Sequence, residues 1–108
     1  MKCYVGKRTE YGAFVTVDGR ALDPRHDLRN HSPDGFEWGY GGSGPAQLAL
    51  AMLADHFNDG RKALEIYQDF KFAVIAGLSG DEWTLTSREI EQALERIRVE
   101  SLKRGGVS

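Results

Sequence analysis

From Leu48 to Ala54 the chain runs without a polar break. A helix that is apolar on every side must be buried on every side, so this segment is expected to be the central helix of the domain. Pro45 marks its start, because proline at the first helical position needs no N–H partner and brings a preset φ. Gln47 takes the third-position role of a capping box, although Gly44 offers it no side-chain acceptor in return. The helix is expected to begin at Gly44 or Pro45, and Asp55-His56-Phe57-Asn58-Asp59-Gly60 ends it. His56 falls at the negative end of the helix dipole, which suits a structural role.

At 108 residues the chain makes one domain with a single modest core. Around the central helix, the N-terminal third reads as β structure. Lys2 to Val5 and the β-branched, aromatic Ala13 to Val17 are strands, joined by polar Arg8 to Gly12. Asp18-Gly19 is a turn signal, and Arg20-Ala21-Leu22 begins a third short strand. Asp23 to Gly35 holds two prolines and two histidines with no periodicity. It reads as a loop, and long loops in compact domains are often functional. Phe36-Glu37-Trp38 alternates like a short strand returning to the sheet.

Arg61 to Ala76 carries Ala63, Ile66, Tyr67, Phe70 and Val74 at helical spacing, although Phe72 to Ala76 also fits a buried strand. Trp83-Thr84-Leu85 is an extended link. Thr86 and Glu89 match the capping box, and Ile90, Ala93, Leu94, Ile97 and Leu102 mark the inner face of a third helix. Residues 102–108 are expected to form a frayed tail. The expected class is α+β: a short antiparallel N-terminal meander packed against three helices, the first central and buried, in one domain over residues 1–108.

The stretch Gly35 to Pro45 gathers glycines, two large aromatics, a carboxylate and a hydroxyl just where the central helix begins. Gly39-Tyr40-Gly41-Gly42-Ser43-Gly44 satisfies G-x-G-x-x-G, but the dinucleotide unit also needs a parallel strand after the helix and an acidic ribose ligand about 20 residues on. Neither follows here, and no Lys-Ser/Thr completes a Walker A loop. A looser reading survives: Ser43, Tyr40 and the N–H groups of residues 41–44 form an anion-binding nest at a helix N-terminus.

No catalytic set emerges, and Glu37 and Ser43 are the only catalytic candidates. Ser43 lacks the final glycine of a nucleophile elbow, where Pro45 would also remove an oxyanion-hole donor. Glu37 would serve as general acid or base if it pointed into a pocket. His26 and His31 with Asp23, Asp27 and Asp34 match no metal-ligand spacing, so no metal or cofactor is expected. The candidate ligand or partner surface is His31, Glu37, Trp38, Tyr40, Gly41, Gly42, Ser43 and Gly44.

A formal net charge of −2 argues against broad nucleic-acid binding. No apolar run approaches the roughly 20 residues of a membrane span. The N-terminus lacks the apolar core of a signal peptide, and the lone thiol of Cys3 fits a reducing compartment. A cytoplasmic location is therefore expected.

The block His31-Ser32-Pro33-Asp34-Gly35-Phe36-Glu37-Trp38-Gly39-Tyr40-Gly41-Gly42-Ser43-Gly44-Pro45-Ala46-Gln47-Leu48-Ala49-Leu50-Ala51 resembles a family of small prokaryotic domains of unknown function, found also in phages and other mobile elements. Tyr67-Gln68-Asp69-Phe70-Lys71 and Trp83-Thr84-Leu85-Thr86 are similar to further motifs of that family. The resemblance implies a shared fold and a shared use of the loop, and it transfers no activity. Its mobile-element association implies a phage-type inhibitor of a host defence complex, such as an anti-CRISPR. The expected function is a non-catalytic binding module that engages a protein partner or a small anionic ligand through residues 23–44. The alternative is a small enzyme or nucleotide-handling protein, with Glu37 as acid or base and Gly39–Gly44 as the phosphate or oxyanion cradle.

Overall fold

A computed structural model describes residues 1–105; residues 106–108, the end of the expected tail, lie outside the described residues. Cys3–Thr9 (β1) and Gly12–Val17 (β2) form an antiparallel hairpin with Thr9 opposite Gly12. Gly12 sits at φ 128°, a conformation that only glycine adopts without strain. Arg20–Ala21 (β3) pairs on the far side of β2, as the meander expectation has it. The fourth strand is Glu82–Thr86 (β4), which pairs antiparallel with the free edge of β1. The sheet order is β3-β2-β1-β4. Trp83 to Leu85 is therefore an edge strand and not a link.

Phe36 to Trp38 stays outside the sheet. Both edges of β1 are occupied, and the Trp38 indole N–H donates to the Gly80 carbonyl at 2.9 Å. The next amide, Gly39 N–H, donates to the Ile75 carbonyl at 3.0 Å. The segment is thus held by carbonyls of residues 75–80 and not by a strand.

One face of the sheet, carrying Tyr4, Val15, Val17 and Trp83, is buried, and the other, with Lys7, Phe14 and Thr84, faces water. Against the buried face lies Ser43–Phe57 (α1), with every residue from Gly44 to Ala54 buried. Gly60–Ala73 (α2) follows after a two-residue turn, so the two helices pack as an antiparallel hairpin. Asp59 caps α2 by accepting from Arg61 N–H at 3.1 Å and Lys62 N–H at 3.3 Å. A single 3₁₀ turn, Ile75–Gly77, then replaces the end of the expected second helix, so Phe72 to Ala76 is not a strand. Ser87–Gly105 (α3) opens on the expected capping box: Glu89 N–H donates to Thr86 Oγ1, and Thr86 N–H to Glu89 Oε1. The helix continues through residues 102–105, which were expected to fray. Leu102 and Lys103 are good helix formers, and a cation suits the negative helix end.

Gln47 does not cap α1. It is fully buried, and its side-chain amide organises the long loop. Oε1 accepts from His31 N–H at 2.7 Å and Ser32 N–H at 3.1 Å. Nε2 donates to the Pro24 carbonyl at 2.6 Å and the Arg29 carbonyl at 3.0 Å. Both donors and both acceptor sites of one amide are thereby used.

Asp55 ties the last turn of α1 to β1. It accepts from Tyr4 Oη at 2.6 Å and Lys2 Nζ at 3.0 Å. Partial burial works to raise its pKa, but the hydrogen bonds from Tyr4 and Lys2 outweigh it and hold the carboxyl below its ordinary value. Burial, then the bond to Asp55, push the Tyr4 phenol well above its own. A depressed carboxylate stabilises the fold above its unfolded pKa of about 4 and loses that contribution as pH falls through the lower folded value. Asp55→Asn is expected to cost about 1–2 kcal/mol at neutral pH, and this difference disappears in acid. Urea midpoints of both proteins from about pH 2 to 7 check it; a difference that persists at the acid end contradicts it.

Candidate functional site

The sequence-selected residues separate into two groups. Trp38 is 2% exposed and belongs to the core. Its ring meets Trp83 edge-on at 5.4 Å, and the Arg8 guanidinium covers it at 4.5 Å. It cannot present a stacking face to a partner. Glu37 is held by the same Arg8, accepting from Nη2 at 2.7 Å and Nε at 3.2 Å. These bonds, with another that Arg8 Nη1 donates to Asp81, push the guanidinium above its ordinary value. The Glu37 carboxylate is thus the counter-ion of a permanent cation that braces Trp38.

His31 is half-buried and is committed twice, through its N–H to Gln47 and through Nε2 to Tyr67 Oη at 2.7 Å. His26 Nε2 lies 3.0 Å from the Ser32 carbonyl. Neither histidine is bonded to Ser43, the exposed first residue of α1. Among the described residues, no cluster of three or more His, Cys, Asp or Glu side chains has the geometry to hold a metal ion.

The second group is the turn itself. Gly39 takes φ 90°, and a Cβ there would lie 3.1 Å from the Leu78 carbonyl. Gly44 lets the chain cross the start of α1, since its Cβ would come within 2.8 Å of Glu37 Cβ. At Gly41 a Cβ would meet the Phe72 ring at 2.9 Å, and at Gly42 the Tyr40 ring at 2.4 Å. Two aromatic rings therefore flank a bare backbone. Both are open to solvent, Tyr40 at 52% and Phe72 at 65%. Among the described residues, the N–H groups of residues 40–44 have no acceptor in the chain. α1 has no side-chain N-cap and no acidic residue in its first turn.

Three surface grooves run along α3, two of them shared with α2, and none is lined by residues 31–44. Phe72 links the turn to the first groove, which it lines with Ala73, Ile97 and Val99. Sequence reasoning missed Phe72 because Phe70 and Lys71, just before it on α2, are buried while it points out. It also missed Lys71, which is 7% exposed with its ammonium 4.1 Å over the Phe72 ring.

A family model, described as a family of unknown function (DUF6166), matches residues 4–96. The chain belongs to this family. The DUF6166 match takes in the whole sheet core, α1, α2, the long loop and the turn, and it ends within α3. Tyr40, Lys71, Phe72 and all the glycines of the turn therefore lie inside it. No curated protein and no solved structure matches the chain, so membership of DUF6166 brings no activity with it. Among the described residues, no helix is long and apolar enough to cross a membrane.

Proposed function

We propose that the protein is a non-catalytic binding module that engages a protein partner through the glycine turn. One observation carries this reading: Tyr40 and Phe72 stand exposed on either side of the Gly41–Gly42 backbone. Large aromatics on a rigid scaffold dominate protein interfaces, because they bury much area at little entropic cost. Here α1 and α2 supply the rigidity, and the glycines keep the intervening backbone open. The resemblance to phage and mobile-element domains supports a host defence complex as the partner to test first, with inhibition as the outcome of binding. The enzymatic alternative draws no support from Glu37, whose carboxylate is engaged by Arg8.

The test is capture from a native host by tagged protein. Tyr40→Ala with Phe72→Ala is expected to lose the partner, costing at least about 2 kcal/mol of binding, a 30-fold loss, if the two rings are hot spots. Tyr11 and Phe14, also exposed but on the β1–β2 hairpin, are the control. If Tyr11→Ala with Phe14→Ala releases the partner and the turn variant retains it, the proposed surface is wrong.

A further inference from the structure

We propose that α3 pairs antiparallel with the α3 of a second copy of this chain, about a two-fold axis between Arg96 and Ile97. This pairing goes beyond the binding-module reading and does not rest on it, since neither Tyr40 nor Phe72 lines the groove concerned. Ile97 is the last buried residue of α3 among those described, and from Arg98 to Lys103 every side chain is exposed. At 1.5 Å per residue, about 9 Å of helix stands beyond that last anchor. Helices in proteins draw most of their stability from packing an apolar face, and these turns have nothing in the chain to pack on. Glu91, Leu94, Arg98 and Leu102 follow one another at helical spacing, on the side of α3 that forms a groove with α2. Phe57, Ile66 and Leu94 are the half-buried apolar floor of that groove, and Leu102, 60% exposed, lines it too.

Charge selects the occupant of this strip. Residues 88–95 set Arg88 against Glu89, Glu91 and Glu95, a net −2, and residues 96–103 set Arg96, Arg98 and Lys103 against Glu100, a net +2. Acids first and bases last also suit the dipole of a single helix, so this order alone calls for no partner. The uncovered strip crosses both halves, however, with Glu91 and Glu95 on the first and Arg98 on the second. An antiparallel copy lays each acidic half on a basic half, whereas a parallel copy lays like on like. An axis between Arg96 and Ile97 brings Glu95 level with Arg98 of the second copy, twice by symmetry. It also brings Leu102 of the second copy level with Glu91, beside Phe57, because His56 bonds to Glu91. Within one chain Arg98 Nε already donates to Glu95 Oε2 at 3.1 Å. That pair is exposed and worth little by itself, so sharing it across the axis costs little.

Sedimentation velocity of the full chain, from about 5 µM to about 0.5 mM, tests the pairing. A species of twice the 12.0 kDa chain mass is expected at the upper end. Leu102→Glu puts a charge into the strip twice per dimer and should raise the dissociation constant ~100-fold or more, about tenfold at each of two equivalent sites. Glu95→Arg alone and Arg98→Glu alone set like charges across the axis and should each weaken the dimer ~10-fold or more. An equal mixture of these two variants should recover the parental affinity as a heterodimer, because the basic pair of one then meets the acidic pair of the other. All three substitutions fall on exposed side chains, and the recovery in the mixture shows directly that both variants are folded. A parent that is monomeric at about 0.5 mM overturns the pairing, as does a Leu102→Glu protein or a single charge variant that dimerises like the parent. A mixture that fails to recover overturns the antiparallel axis and the proposal with it. The Tyr40 and Phe72 docking surface would survive any of these results, because it is read on partner capture.

Discussion

Replacing Gln47 with Leu is expected to unfold the loop from Pro24 to Ser32 and remove about 3–5 kcal/mol of stability. Leucine fits the volume and suits the apolar surroundings, so packing changes little. What disappears is the partner of two backbone N–H groups, at His31 and Ser32, and of two carbonyls, at Pro24 and Arg29. Each buried polar group left unpaired costs about 1–3 kcal/mol. The loop limits the total by peeling away to hydrate those groups, and that carries Leu28 off the core. Against a whole-domain stability of about 5–15 kcal/mol, such a loss is severe.

Gln47→Glu separates hydrogen bonding from shape. A carboxylate keeps the two acceptor bonds but sets an anionic oxygen against the Pro24 and Arg29 carbonyls. Its pKa in the folded state must rise, so stability is greatest in acid and falls as pH rises from the ordinary carboxyl value through the higher folded one. Urea midpoints and hydrogen exchange at His31 and Ser32 read both effects. A Gln47→Leu protein with parental midpoint and protected loop amides would falsify the role given to Gln47.

Gln47 also shows what the sequence hid and what it displayed. The central helix was legible because Leu48 to Ala54 admits no solvent-facing side, and the third helix because Thr86 and Glu89 cap it locally. The strand at Glu82–Thr86 was not legible, since its partner β1 lies at the opposite end of the sequence and the pairing leaves no local pattern. Phe36 to Trp38 imitates a strand by alternation, but the hydrogen bond that places Trp38 goes to Gly80 in another loop. For Gln47 the signal was present. A polar amide inside a run that must be buried demands buried backbone partners, and the adjacent loop without periodicity is where such partners occur.

Lys71 follows the same logic. Counting by fours from Ala63 through Tyr67 reaches Lys71, so the apolar stripe itself places this cation inside. The polar residue that breaks an apolar pattern is thus the more informative one, twice in this chain. Of the candidate surface, Tyr40 and the glycines were readable as a turn ahead of a buried helix. Phe72 was not, because contact between the ends of two antiparallel helices is a tertiary fact. Trp38 was misplaced for a related reason, as nothing local distinguishes a ring that stacks on a ligand from one that closes a core.

Gly6→Ala is expected to cost about 2–4 kcal/mol, although alanine is favoured over glycine in a strand interior by about 0.5–1 kcal/mol. Gly6 faces the core directly opposite Trp83 in the β1–β4 register. A Cβ on Gly6 would lie 2.2 Å from Trp83 Cε2 and 2.4 Å from Nε1, inside the van der Waals envelope of the indole. The ring must therefore move, and it has little freedom, since Trp38 stands perpendicular to it and is itself tied to Gly80 and Arg8. The strain passes to the edge strand, which β1 alone holds in the sheet. A double-mutant cycle isolates the cause. In a Trp83→Ala background the obstruction is gone, so Gly6→Ala should be neutral or stabilising by up to about 0.5 kcal/mol, giving a coupling above about 2 kcal/mol. Additivity within about 0.5 kcal/mol would mean that the two residues do not compete for one space, and that the indole does not fill the position where β1 lacks a side chain.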